Sequence, residues 1–266
     1  MVKKITVKTI QKYKNDGEKF SVLTAYDYST AKYIDEAGID IVLIGDSLAM
    51  VALGYETTHS IGVEEMSIFT KAVAKGVSHA MVVTDMPFLS YHTDIPTAIK
   101  NCGQMVRLGA NAVKIEGYSD YILSVIKRLV ESGIPVMGHL GLTPQSIHKF
   151  GTYAVRAKEE AEAAQLLEDA IALERTGCFA IVLEKIPAKL AAKVSKALKI
   201  PVIGIGAGGD CDGQVLVMHD MLGLNNGFSP KFLRRYANLH DEYLKAFRQY
   251  IEDVRSGDFP NENEQY

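Results

Sequence analysis

The sequence has few cysteines, no long apolar run and no strong excess of either charge. Its three cysteines, Cys102, Cys178 and Cys211, lie far apart and form no CxxC pair. Such spacing suits neither a disulfide framework nor a zinc site, and it points to a reducing compartment. The longest apolar stretches fall far short of the roughly 20 residues that a bilayer-spanning helix needs. The opening stretch, MVKKITVKTIQKYKNDG, lacks the apolar core of a signal peptide. A net charge of −3 gives no electrostatic attraction to nucleic acid or to an anionic membrane. We therefore expect a soluble, cytoplasmic protein with neither as partner. No Ser/Pro-rich or low-complexity linker divides the 266 residues, so a single domain is expected.

What is present is a regular alternation. Short runs rich in valine, isoleucine and leucine are separated by longer segments of helical period, the pattern of repeated βα units around a parallel sheet. Strands are expected over 20–26, 39–46, 79–85, 112–116, 135–139, 180–184, 201–206 and 214–219. Eight such strands, in a chain close to the roughly 250 residues usual for the class, predict a single (β/α)8 TIM barrel over residues 1–266. Start and stop signals place helices over 94–109, 120–133, 159–177 and 188–198. A short N-terminal helix over 6–14 is placed to plug the bottom of the barrel. Residues 229–256 predict a C-terminal helical extension whose Tyr236, Tyr243, Phe247 and Tyr250 can cover the barrel or meet another subunit. Residues 48–62 and 140–158 follow strand ends and are too long for simple turns. They read as lids or binding loops, with plain insertion as the alternative.

Four of the strands end in a carboxylate. IVLIGDS, MVVTDMP, AVKIEG and AIVLEKI present Asp46, Asp85, Glu116 and Glu184. An ionised carboxylate at the end of a buried strand is costly to desolvate unless it is paired or meets a cation. In a parallel barrel all strands end on one face, and active sites lie there. Asp46, Asp85 and Glu116 come from three successive strands and can converge. Oxygen-only ligands favour a hard cation such as Mg²⁺, and the absence of adjacent cysteine or paired histidine argues against zinc. Each acid alone reads as a helix cap or surface salt bridge; the set of three points to a metal or polar catalytic site. Lys114 shares the face of Glu116, where it can neutralise the acids or hold a substrate carboxylate. Glu184, two strands further on, suits a general base facing a metal-bound substrate. An ion pair with Lys185 is the weaker reading, because neighbouring strand residues point to opposite faces. His139 can position substrate, shuttle a proton or serve as a satisfied structural histidine. His219 and Asp220 are expected at the end of the eighth strand. GIGAGG at 204–209 matches GxGxxG, yet DCDGQVLVMHD follows it with another strand instead of a long helix, so the dinucleotide reading fails. Gly206 and its neighbours read instead as a phosphate-binding loop or as a close backbone approach to a ligand or the next strand.

The segments LTAYDYSTAKYIDEAGIDIVLIGDSLAMVALGYETT, VVTDMPF, NAVKIEG, GHLGLTPQS and IPVIGIGAGGDCDGQVLVMHDMLGL strongly resemble the ketopantoate hydroxymethyltransferase family, over essentially the whole chain. The resemblance implies an α/β fold, a (β/α)8 barrel of the phosphoenolpyruvate/pyruvate type. It implies transfer of a hydroxymethyl group from 5,10-methylenetetrahydrofolate to 3-methyl-2-oxobutanoate, giving 2-dehydropantoate in pantothenate biosynthesis. Carried onto this chain, it assigns Mg²⁺ to Asp46, Asp85 and Glu116, the 2-oxoacid to Asp46, Ser47, Asp85 and Lys114, and the role of proton acceptor to Glu184. It also implies a homodecamer of two stacked pentamers. The departures at Gly209, Met218 and Glu56-Thr57 touch none of these positions. Two other readings stay open. One is a related metal-dependent 2-oxoacid aldolase or lyase that needs no folate, and the other is a non-catalytic phosphate- or nucleotide-binding barrel that uses GIGAGG.

Overall fold

Eight short parallel strands close on themselves in sequence order in a computed structural model that describes residues 4–266. They are β1 Phe20–Thr24, β2 Ile41–Ile44, β3 Met81–Asp85, β4 Ala112–Glu116, β5 Val136–Gly141, β6 Ala180–Glu184, β7 Val202–Ile205 and β8 Gly213–Leu216. The described residues fall into two compact units, one running to Leu216 and the other Val217–Tyr266.

In the barrel unit the strands are apolar on both faces, as a sheet covered by helices outside and filled by side chains inside requires. Phe20, Leu43, Met81, Met137 and Ile203 belong to the inner cluster, and Ile5 and Ile10 pack onto it. Ile10 lies on helix Val7–Asp16 and is fully buried in that cluster, together with Phe20 at the start of β1. Lys14 fastens this helix, with Nζ 2.7 Å from Asp212 Oδ2 and donating to the Ser195 carbonyl at 2.7 Å.

The outer helices begin where the sequence places caps. Asp27, Asp94 and Ser119 accept from the backbone N–H groups of Thr30, Thr97 and Ile122, opening Tyr28–Glu36, Ile95–Arg107 and Asp120–Glu131. Helix Glu160–Thr176 ends on Gly177 in the left-handed conformation, φ 108°. At the end of Tyr28–Glu36, buried Asp35 accepts from the N–H groups of Ser78, His79 and Ala80 at 2.7–3.1 Å and from the Ser78 hydroxyl at 2.8 Å. The carboxylate thereby ties that helix to the chain entering β3.

No helix separates β7 from β8. The chain turns through Gly206 (φ 61°) and Gly208 (φ 86°), and a Cβ on Gly208 would lie 2.5 Å from that of Ala188. One on Gly204 would lie 3.0 Å from Cys211 Sγ. Close approach to the neighbouring helix and link therefore accounts for two of the glycines in GIGAGG. The three cysteines are free and buried. Burial pushes the thiols of Cys102 and Cys178 up to about 12, and that of Cys211 to about 11.

Two expectations need correction in the second unit. The eighth strand stops at Leu216, and His219 and Asp220 lie on the short helix Met218–Met221. The predicted 229–256 extension is helical only over Leu239–Ser256. Upstream of it, Arg235 Nη2 donates to the carbonyls of Asn225, Asn226 and Phe228 at 3.1–3.2 Å, which holds that backbone in a loop. Helix Leu239–Ser256 buries none of its residues, and Tyr243, Phe247 and Tyr250 are exposed. Among the described residues no helix is long and apolar enough to cross a membrane.

Candidate active site

The carboxyl ends of five successive strands carry a continuous line of polar groups. After β2 the chain turns at Gly45, where a Cβ would sit 2.7 Å from Ser47 Oγ. That tight turn directs the Asp46 N–H to Asp85 Oδ2, at 3.0 Å. Ser47 Oγ lies 2.8 Å from the hydroxyl of Tyr26, which follows β1. Asp85 ends β3, and its Oδ1 is 3.0 Å from Lys114 Nζ. Lys114 and Glu116 alternate on β4 and share a face, with Nζ 3.5 Å from Glu116 Oε1. On β5, His139 Nδ1 lies 3.0 Å from Glu116 Oε1 and 3.1 Å from Lys114 Nζ. Its Nε2 lies 3.4 Å from Glu184 Oε2 at the end of β6.

The structure thus brings together Asp46, Asp85, Lys114, Glu116, His139 and Glu184. Five of the six are buried; Glu184 is the open member, its side chain 18% exposed. Ser47 adjoins the line beside Asp46. Gly206 stands at the end of β7, next to β6 in the sheet.

The electrostatics divide these groups. Burial, then Glu116 and Asp85, push the Asp46 carboxyl well above the ordinary range. Burial also raises Asp85, against the opposing pull of Lys114. Burial pushes Glu116 upward too, yet His139 and Lys114 outweigh it and hold the carboxyl down at about 2. For Lys114, burial acts downward and the surrounding carboxylates overcome it, so the ammonium stays charged. Burial and Lys114 press His139 down, but Glu116 and Glu184 carry it to about 9, which favours an imidazolium whose Nδ1 meets Glu116 while Nε2 faces Glu184 at ion-pair distance without a hydrogen bond. Lys114 and His139 therefore satisfy Glu116 and half-satisfy Asp85, and Asp46 is left short of positive charge.

Among the described residues no three His, Cys, Asp or Glu side chains converge closely enough to cage a metal ion unaided. Mg²⁺ does not require such a cage, because it binds through one or two carboxylates and keeps several waters or substrate oxygens. An all-oxygen donor set with an undercompensated aspartate fits that ion.

Two participants escape the sequence reading. Gln145, in the turn Pro144–Ser146 after β5, donates from Nε2 to Asp46 Oδ2 at 2.8 Å and from its backbone N–H to Glu116 Oε2 at 3.0 Å. Tyr91, fully buried, donates its hydroxyl to Gln145 Oε1 at 3.0 Å and accepts from the Glu116 N–H at 3.2 Å. Both are neutral residues in connecting segments, where only the TPQ turn signal stands out. The 140–158 segment also reaches β6. The Arg156 N–H donates to the Lys185 carbonyl at 2.8 Å, and the Lys185 ammonium bonds the carbonyl of Tyr153. Lys185 (φ 45°) is thus committed to the loop and leaves Glu184 to the site.

Comparison with known proteins is consistent along the whole chain. Residues 4–262 match a family model described as ketopantoate hydroxymethyltransferase. A 3-methyl-2-oxobutanoate hydroxymethyltransferase from Flavobacterium johnsoniae is 56% identical over 265 residues, covering 99% of this chain and 97% of that protein. The protein of the same name from Caldicellulosiruptor bescii is 52% identical over 263 residues, 99% of each. A phosphonopyruvate hydrolase solved with oxalate and Mg²⁺ superposes with a TM-score of 0.63 at 13% identity, covering 99% of this chain and 93% of that one. A 2,3-dimethylmalate lyase of the PEP mutase/isocitrate lyase superfamily gives 0.61 at 15% identity, with 96% and 89% covered. At such identities the structural likeness speaks to the fold alone, a closed eight-stranded parallel barrel.

Proposed function

Because the chain belongs to the ketopantoate hydroxymethyltransferase family, we propose that it moves a hydroxymethyl group from 5,10-methylenetetrahydrofolate onto 3-methyl-2-oxobutanoate, giving 2-dehydropantoate. The observation that carries this reading is the bridging imidazole of His139, 3.0 Å from Glu116 on one side and 3.4 Å from Glu184 on the other. An anionic pocket suited to a cation and a more open carboxylate suited to a base stand one ring apart.

Asp46, Asp85 and Glu116 would hold Mg²⁺. When bound, the cation stabilises negative charge developing on the keto oxygen of the 2-oxoacid. Lys114 and Ser47, with Asp46 and Asp85, orient the substrate. Glu184 takes the proton from C3; a carboxylate of ordinary strength does so quickly only where the resulting enolate is stabilised. The positive charge of His139 faces that carboxylate, with Nε2 3.4 Å from Glu184 Oε2. Water adds to the one-carbon unit as its two bonds to the folate nitrogens break, C3 forms a bond to that carbon at the oxidation level of formaldehyde, and the balance of protons, one from C3 and one from water, ends on the two nitrogens of tetrahydrofolate. Gly206, at the end of β7, adjoins the Glu184 side of this reaction space.

The test is tetrahydrofolate release that depends on 3-methyl-2-oxobutanoate and on added Mg²⁺. Activity undiminished in strong chelator removes the metal assignment. Product formed equally well without folate turns the reading toward an aldolase or lyase. Glu184→Gln should abolish deuterium exchange at C3 of 3-methyl-2-oxobutanoate without folate, and exchange at the wild-type rate would remove Glu184 as the base.

The homodecamer belongs to the same reading, supported by the exposed aromatic row on Leu239–Ser256. Sedimentation of the protein as a monomer at micromolar concentration would overturn it.

A further inference from the structure

We propose that Gln145 is a positioning residue that sets the separation of Asp46 and Glu116 for cation binding. The inference rests on the Mg²⁺ reading above. Asp46 follows β2 and Glu116 ends β4, so β3 stands between them and no sheet hydrogen bond fixes their spacing. A single residue from the turn after β5 spans the gap. Gln145 is only 7% exposed, and it gives its side-chain amide to Asp46 Oδ2 and its backbone N–H to Glu116 Oε2.

The orientation of that amide has one satisfactory solution. Nε2 donates to both Asp46 Oδ2 and the Met86 carbonyl, at 2.8 and 2.9 Å, while Oε1 accepts from the Tyr91 hydroxyl. Flipping the amide would set Oε1 against two acceptors, a carboxylate and a carbonyl. The backbone is held as well, with His59 Nε2 2.8 Å from the Gln145 carbonyl. The side chain therefore cannot rotate away without leaving several buried polar groups unpaired.

The chemistry requires a neutral donor here. Two neighbouring carboxylates repel, and Lys114 already serves the Asp85 side. A second ammonium at this position would compete with a divalent cation, and a carboxylate would add to the repulsion. An amide satisfies one oxygen of Asp46, its backbone N–H satisfies one of Glu116, and neither changes the charge of the pocket. The carboxylate is rigid, so fixing Oδ2 also fixes where Oδ1 is offered. Groups that orient metal ligands in this way are worth about 10- to 100-fold in affinity or activity.

The decisive measurement is isothermal titration of the intact protein with MgCl2, without substrate, for wild type, Gln145→Met and Gln145→Glu. Both replacements nearly preserve volume, and they differ in charge. We expect Mg²⁺ binding weakened about 10- to 100-fold in both, with KM for 3-methyl-2-oxobutanoate raised; both variants fold, with a Tm lowered by the polar groups that Gln145 no longer pairs. Variants that fold and bind Mg²⁺ with the wild-type Kd overturn this inference alone. Failure of both to fold also overturns it, by assigning Gln145 to folding. A wild type that binds no Mg²⁺ overturns the underlying reading together with this one.

Discussion

Removing the Lys114 ammonium would leave Asp85 and Glu116, both buried, without the positive charge 3.0 and 3.5 Å away. Breaking a buried charge cluster from one side costs about 3–5 kcal/mol, so Lys114→Met should lower the stability measured by urea unfolding by that order as well as abolish turnover. Asp35 offers a test with a pH signature. Burial raises its carboxyl, but the N–H donors of Ala80, Ser78 and His79 and the Ser78 hydroxyl outweigh burial and hold it below the usual value of 3.8. The folded state therefore favours the charged form, and this stabilisation is present above the ordinary aspartate pKa and fades as pH falls through the depressed one. Asp35→Asn should lose about 1.5–3 kcal/mol at neutral pH, with its gap from wild type narrowing as pH drops below about 4. The strand-end acids were legible in the sequence because a charge closing an apolar run is an energetic anomaly. Gln145 and Tyr91 were not, because a neutral polar residue in a loop carries no such signal until its partners are in place.

Gly141, the last residue of β5, controls where β6 ends. It sits at φ 91°, and a Cβ there would lie 2.3 Å from the Glu184 carbonyl and 2.8 Å from Ile186 Cγ2. Gly141→Ala should cost at least about 1–3 kcal/mol through overpacking. Because the strain falls on Glu184, kcat should drop more than KM for 2-oxoacid rises; unchanged steady-state constants would show that β6 absorbs the strain elsewhere. At this scale apolar runs bounded by turn signals located all eight strands. The end of β8 was obscured because LVM stays apolar beyond Leu216, where the chain has already turned toward helix Met218–Met221. The loop before Leu239 was hidden for another reason: its structure comes from one arginine collecting three carbonyls, a pattern without periodicity.

The barrel as a whole separates its stability from its chemistry. Ile10 packs with Phe20 at the start of β1, and every candidate catalytic group stands where the strands finish. Ile10→Ala should therefore lower stability by about 2–5 kcal/mol while kcat of the folded protein stays at the wild-type value, measured well below the lowered Tm. Strand count and length made this architecture readable from sequence, whereas the division at Leu216 was not, since no change of composition marks it. The buried thiols carry a consequence for how the molecule comes apart. Cys102 sits on helix Ile95–Arg107, Cys178 immediately before β6, and Cys211 in the link to β8, so they sample separate sectors of the ring. While each is shielded and almost wholly in the thiol form, an alkylating reagent can modify it only during an opening event. A closed sheet has no edge from which to fray, so the three sites should be modified at one common rate under mild denaturant, and peptide mass spectrometry would read all three in a single experiment. Unequal rates would mean that the ring breaks open by sectors.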